Sequence, residues 1–190
     1  MPKIWEISQA ADSSDCGFFC AYIAAKIANG TYWQDIDTTE DDVYMFRNLH
    51  AGVNFDGPSP GPKQGYNGLN NLEEMCNILR KAGAPNYEQR FLANLKGPNA
   101  KDTDLLRWYT PPSSKDVTLI AITNHWVMLL EVLSNGRFVM YDSSCYAFEP
   151  HVNAFDPKRV KDHLHRHIRG VVTRPYATSV PRKASRPVPF

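Results

Sequence analysis

The chain has 190 residues, 43% of them hydrophobic and 22% charged, a length that suits one domain with room for a real core. Its 21 Lys and Arg nearly cancel its 20 Asp and Glu, and a total of +1 gives no sign of a nucleic-acid binder or a membrane-surface protein. The balance hides an asymmetry, because residues 1–156 hold 12 basic and 19 acidic groups whereas residues 157–190 hold nine basic groups and Asp162 as their one acid.

The N-terminal stretch MPKIWEISQAADSSDCG has one Lys and no apolar run of seven or more, so it does not read as a secretion signal. From Cys16 to Ala28 the sequence CGFFCAYIAAKIA is apolar at almost every position, which predicts a buried helix. The polar run Asp12, Ser13, Ser14, Asp15 offers caps for its first turn, and Asn29-Gly30 marks its stop. Cys16 therefore stands at the head of a central helix.

Residues 40–48 predict a short helix with acids in its first turn. Between Ala51 and Asn71, five Gly and three Pro in 21 residues predict a long loop. LNNLEEMCNILRKAG, residues 69–83, has helical apolar spacing and ends at Gly83. Residues 86–110 are ambiguous, reading as a short strand or helix at Tyr87 to Leu95 and a further helix at Asp102 to Tyr109.

Beyond Pro111-Pro112 the character changes. VTLIAIT (117–123), HWVMLLEVL (125–133) and GRFVMYD (136–142) read as strands of an antiparallel sheet, with Ser134-Asn135-Gly136 as a hairpin turn. A short helix at 156–167 and a strand at 168–173 follow, and residues 174–190, with four Pro and four basic groups, read as an extended tail. The fold class is thus α+β, with a domain over 1–173 and a basic tail over 174–190. No stretch approaches the roughly 20 apolar residues of a membrane span. Four scattered cysteines do not suit a disulfide framework, so a reducing compartment is the default. The expected location is the cytoplasm, or a destination reached without a signal peptide.

A thiol at a helix N-terminus feels the positive end of the helix dipole, which favours the thiolate, the nucleophilic form. His125 opens the next-to-last of the three strand runs and can pair with that thiol, and Asp142, ending the last, can hold the imidazole in one tautomer. His125 lies ten residues before Asn135 and Asp142 seven after it, so their meeting requires an offset or a bulge in the hairpin. Gln9, seven residues before Cys16, supplies a side-chain N–H for an oxyanion, and Gly17 is expected to leave the helix start open to a substrate backbone.

Gln9, DCGFFCAYIAAKIANG, LNNLEEMCNILRKAG and NHWVMLLEV followed by GRFVMYDSS together resemble the papain-like cysteine peptidases, most closely the bacteriocin-processing, double-glycine-leader branch. The resemblance spans roughly residues 5–173. It implies a papain-like fold, with a helical N-terminal half packed on a C-terminal sheet, and a free-standing thiol peptidase. Cys16 would be the nucleophile, His125 the general base, Asp142 the orienting carboxylate and Gln9 the oxyanion-hole donor. It implies a peptide or protein substrate and no cofactor.

Each residue also has a plainer reading. Cys20, Cys76 and Cys145 read as core, Asn124 or His50 could share the part given to His125, and Asp142 could be a strand-end turn residue. His163, His165 and His167 alternate, so they do not share a helix face, and no cluster of further ligands with zinc spacing accompanies them. The basic tail lacks the aromatic interleaving of a single-strand binder; an anionic partner for it is one reading and a solvated arm the other. Two rival functions stand beside peptidase: a papain-like deamidase, transamidase or peptidoglycan amidase serving as a toxin or effector, and a papain-like domain that binds without catalysis.

Overall fold

The computed structural model describes residues 1–11, 13–51, 68–69, 71–91, 116–174 and 186–188. Most of the expected loop at 51–71, the expected helix at 102–109, and most of the expected tail lie outside these residues, as does the cap candidate Asp12.

Helix α1 (Cys16–Ala28) is buried at every residue but Lys26 and Ala28, as a segment apolar on all sides must be. It stops where expected: the Asn29 N–H reaches the Ala25 carbonyl at 3.0 Å and Gly30 takes φ 101°. Asp15 occupies the cap position without capping, since its side chain makes no hydrogen bond to the helix start. A 3-10 turn (Trp33–Asp35) leads to α2 (Glu40–His50), whose start is closed by a capping box: Thr39 N–H donates to Asp42 Oδ2 at 2.8 Å while Asp42 N–H donates to Thr39 Oγ1. Helix α3 (Leu72–Lys81) begins at Asn71, which accepts from Glu74 N–H at 2.8 Å.

Six strands follow: β1 (Glu88–Phe91), β2 (Thr118–Ile122), β3 (His125–Val132), β4 (Phe138–Tyr141), β5 (Val152–Phe155) and β6 (Ile168–Thr173), with α4 (Pro157–Leu164) between the last two. They form one antiparallel sheet in the order β1-β6-β2-β3-β4-β5. The architecture is therefore mixed, helices on an antiparallel sheet, as the α+β reading expects. Strand β5 is an addition to the expected strands, and β1 settles part of the ambiguous stretch as an edge strand.

Side-chain alternation splits the sheet into two faces. Leu119, Ala121, Met128, Leu130 and Val139 join α1, α2 and α3 in one core cluster. Ile120, Val127, Leu129 and Met140 turn the other way, against Phe148, Phe155 and α4 residues Val160 and Leu164. Both faces are covered, which explains why β2 to β4 read as continuous apolar runs without alternation.

Two turns fix the site-bearing strand. The β2–β3 link is the two-residue turn Thr123–Asn124, with Asn124 at φ 56° and Ile122 paired with His125. The β3–β4 hairpin turns at Ser134–Gly136, Gly136 adopting φ 82° and its N–H reaching the Leu133 carbonyl at 2.9 Å. Between Leu129 and Glu131 the β3–β4 register shifts, which is the bulge the hairpin arithmetic requires. Below it Met128 faces Tyr141, so one further step sets Asp142 opposite Val127 and diagonal to His125.

Arg186–Val188, from the expected tail, lies against the body. The Arg186 guanidinium pairs with Asp35 Oδ2 at 2.9 Å and covers the Tyr32 ring at 4.5 Å, and Val188 packs on the core. Among the described residues no helix is long and apolar enough to cross a membrane.

Candidate functional site

Helix α1 leans on β3, so the first residue of the helix meets the first residue of the strand. Cys16 and His125 are each 7% exposed and Asp142 is wholly buried. His125 Nε2 lies 2.8 Å from Asp142 Oδ1, and the same imidazole shares a cavity with the Cys16 side chain, which raises its affinity for a proton. With Nε2 taken by the carboxylate, Nδ1 is the nitrogen left for the sulfur.

Asp142 is held in a ring of donors supplied by the turn that follows β4. Ser144 N–H donates to Oδ1 at 3.0 Å, and Ala147 and Phe148 N–H donate to Oδ2 at 2.6 and 3.1 Å. Burial opposes the charge on Asp142, but the His125 bond and these backbone donors outweigh it and hold the carboxyl below its usual range. Burial likewise pulls His125 down; the bond to Asp142 and the neighbouring Cys16 reverse the balance and raise the imidazole to about 9. His125 is thus cationic at neutral pH, beside a thiol at a helix start.

Gln9 enters from the N-terminal segment, which runs beside the residue after Asp142. Gln9 N–H donates to the Ser143 carbonyl at 3.0 Å, and Ser143 Oγ lies 2.7 Å from Gln9 Oε1. Gln9, Cys16 and His125 all line one cavity of about 400 Å³, together with Ser14, Leu69 and Trp126. Trp126 Nε1 donates to the Leu69 carbonyl at 2.8 Å, tying that wall to β3.

Gly17 has a different role from the expected one. A Cβ there would lie 2.9 Å from Leu69 Cβ and 3.1 Å from Trp126 Cδ1, so the glycine admits the cavity wall rather than a substrate backbone. Gly68 serves a related end: at φ 64° it passes so close to Ser14 that a Cβ would overlap the Ser14 carbonyl.

Of the alternatives to His125, His50 lies away from the cavity, ending α2 with its ring 4.6 Å from Phe46, and Asn124 lines it from the turn before His125. Burial pushes the Cys20, Cys76 and Cys145 thiols up, a direction that disfavours the nucleophilic thiolate. Cys145 Sγ lies 3.2 Å from His151 Nδ1, which also meets the Asp142 carbonyl at 2.9 Å. Among the described residues no group of three or more His, Cys, Asp or Glu side chains is arranged to hold a metal.

Three features of the site were not in the sequence reading. Ser143 orients Gln9. Tyr146, 74% exposed, sets its ring edge-on to His125 at 5.3 Å. Asp15, directly before Cys16, forms a wholly buried ion pair with Arg47 of α2, Nη1 to Oδ1 2.9 Å. Only Tyr146 had a local signal, an aromatic in a turn next to a strand-end carboxylate.

Chemically, the arrangement pairs a thiol with an imidazolium backed by a buried carboxylate, and adds a side-chain amide and the helix-start N–H groups for an oxyanion. Comparison with family models, curated proteins and solved structures gave no match for this chain.

Proposed function

We propose that this chain is a papain-like cysteine hydrolase that cleaves peptide or isopeptide bonds. Cys16 attacks the carbonyl as the thiolate of a thiolate–imidazolium pair with His125, the Gln9 amide and the N–H groups at the head of α1 stabilise the oxyanion, and His125 gives its proton to the leaving amine. The acyl group is left as a thioester on Cys16. Water, deprotonated by His125, then releases the acid and restores the ion pair. Asp142 keeps the ring turned so that Nδ1 faces the sulfur.

The observation that carries the reading is the 2.8 Å bond between His125 and Asp142, with the same imidazole lining one cavity with a cysteine at the first turn of a buried helix. Such a relay has little use in a domain that only binds. The helical layer on an antiparallel sheet, with the cysteine and histidine at their junction, supports the papain-like architecture. All four cysteines are free, which suits work in a reducing compartment such as the cytoplasm.

A vinyl-sulfone reagent tests the proposal. It is expected to label Cys16 alone, with labelling lost in Cys16→Ala and slowed in His125→Ala while the folded far-UV spectrum is kept. Labelling that persists in Cys16→Ala and vanishes in another cysteine variant would sink it. Intact-mass analysis of treated protein substrates then reads the reaction: fragments mean peptide hydrolysis, whereas a gain of about one dalton on an uncleaved chain means deamidation by the same thioester chemistry.

A further inference from the structure

Beside the cavity that holds Cys16 lies a larger one of about 870 Å³, walled by His125 and Gln9 but not by Cys16. We propose that this second cavity receives the leaving-group side of a peptide substrate and selects acidic residues there. The inference rests on the hydrolase reading above and names its substrate class.

The side follows from the proton's path. His125 protonates the amine that departs, while the acyl half stays bonded to Cys16. The chain beyond the scissile nitrogen therefore leaves over the imidazole, and the space lined by His125 without Cys16 is where it goes. Its volume falls in the range of ordinary ligand sites, enough for a short stretch of peptide.

The cavity is built from fixed parts. Its floor is the β2–β3 turn and its far wall the turn that ends α4; Thr123 N–H joins them by donating to the His167 carbonyl at 2.9 Å, and the His167 N–H closes its own turn on Leu164 at 2.9 Å. The near wall carries Tyr146, edge-on to His125, and the His163 ring lies 5.4 Å from Phe148.

The lining holds the cation Arg166 and the His125 imidazole, which is raised towards its charged form. Arg166 is exposed, and among the described residues no acid pairs with it. The acid present, Asp162, is already bound to Lys158 at 2.5 Å. His163, His165 and His167 add imidazoles, and Arg169 stands in the neighbouring cavity. Of the five basic groups in residues 157–173, Arg166 lines this cavity and Arg169 the neighbouring one. A carboxylate side chain meets charge and donors here, whereas a lysine meets repulsion.

Acyl transfer reads this side directly. Cys16 is acylated with a p-nitrophenyl ester, and the thioester is offered Gly-Glu-Glu-NH2, Gly-Lys-Lys-NH2 or Gly-Ser-Ser-NH2. The peptide amine attacks the thioester carbonyl from the leaving-group side, the C–S bond breaks to release the thiolate, an amide forms and the amine proton is taken by His125. Gly-Glu-Glu-NH2 is expected to capture the acyl group about fivefold more than the lysine peptide, the worth of two exposed ion pairs, and 0.5 M NaCl to erase most of the difference. Arg166→Gln should remove part of the preference and Arg166→Glu invert it. Acylation of Cys16 without a preference for the acidic peptide overturns this inference and leaves the hydrolase reading standing; no acylation overturns both. Suppression of aminolysis by a DNA oligonucleotide at lower charge concentration than the glutamate peptide would assign the cavity to nucleic acid and overturn it too.

Discussion

Ser143 Oγ lies 2.7 Å from Gln9 Oε1, across 134 residues of sequence, and this contact holds one end of the Gln9 amide. The other end of the amide, Nε2, lies 2.9 Å from the Ser13 carbonyl, which can only accept. Nε2 is therefore the donor there, Oε1 faces the Ser143 hydroxyl, and one Nε2 proton is left for the cavity that holds Cys16. Gln9→Ala is expected to slow acylation by about 10²–10³-fold, the usual loss for an oxyanion donor. Ser143→Ala should slow it by about three- to tenfold, the worth of one neutral hydrogen bond. Alkylation of Cys16 by iodoacetamide builds no oxyanion, so both variants should leave it unchanged. If alkylation falls in step with acylation, Gln9 acts through the fold and not as a donor.

What could be read in advance depends on how local each feature is. Helix α1 was legible to both ends because an all-apolar run bounded by Asn29-Gly30 has one folded solution. The need for a bulge followed from counting residues about the Ser134–Gly136 turn, and the register shift past Leu129 supplies it. Strand β5 was not legible: it has four residues, carries the half-exposed Asn153, and follows a run of turn residues. Ser143 on Gln9 and Arg47 on Asp15 were illegible for another reason. They join segments 134 and 32 residues apart, and no periodicity in either segment announces the partner.

The Arg47–Asp15 pair should be among the costliest contacts to break. Both side chains are wholly buried, Nη1 is 2.9 Å from Oδ1, and Asp15 is the residue before Cys16. Arg47→Met leaves a buried carboxylate without its cation and is expected to cost about 3–5 kcal/mol, whereas Arg47→Met with Asp15→Asn should recover a good part of it. Chemical denaturation measures both. Equal losses in the single and double variants would mean that Arg47 is needed for its packing and not for its charge.

Gly17→Ala sets two effects against each other. Alanine gains up to about 1 kcal/mol in a helix over glycine. Against this, the new methyl would sit 2.9 Å from Leu69 Cβ and 3.1 Å from Trp126 Cδ1, and Trp126 is fixed by its bond to the Leu69 carbonyl. Overpacking of this kind costs about 1–3 kcal/mol, so the net effect is a loss of stability. Adding Leu69→Ala to Gly17→Ala removes the closest obstacle. A thermal midpoint for the pair no lower than the Leu69→Ala single variant is the expected result.

The shifted imidazole gives both stability and activity a defined pH response. His125 is raised from the ordinary histidine range to about 9 on folding, so its stabilising contribution is full below about 6.5 and is lost as pH rises through 9. Asp142 is shifted down, so its contribution is full above the ordinary carboxylate range, near 4, and is lost as pH falls through its lowered value. The two overlap fully between about 4 and 6.5, where stability over a His125→Gln variant should be greatest. Amide turnover needs a protonated imidazole for the leaving nitrogen and should fall above about 9, whereas alkylation, which needs only the thiolate, should not. Asp142→Asn removes the bond and charge that raise His125, so the falling limb should move to lower pH. A limb that stays in place would show that Cys16, and not Asp142, sets the imidazole's affinity for its proton.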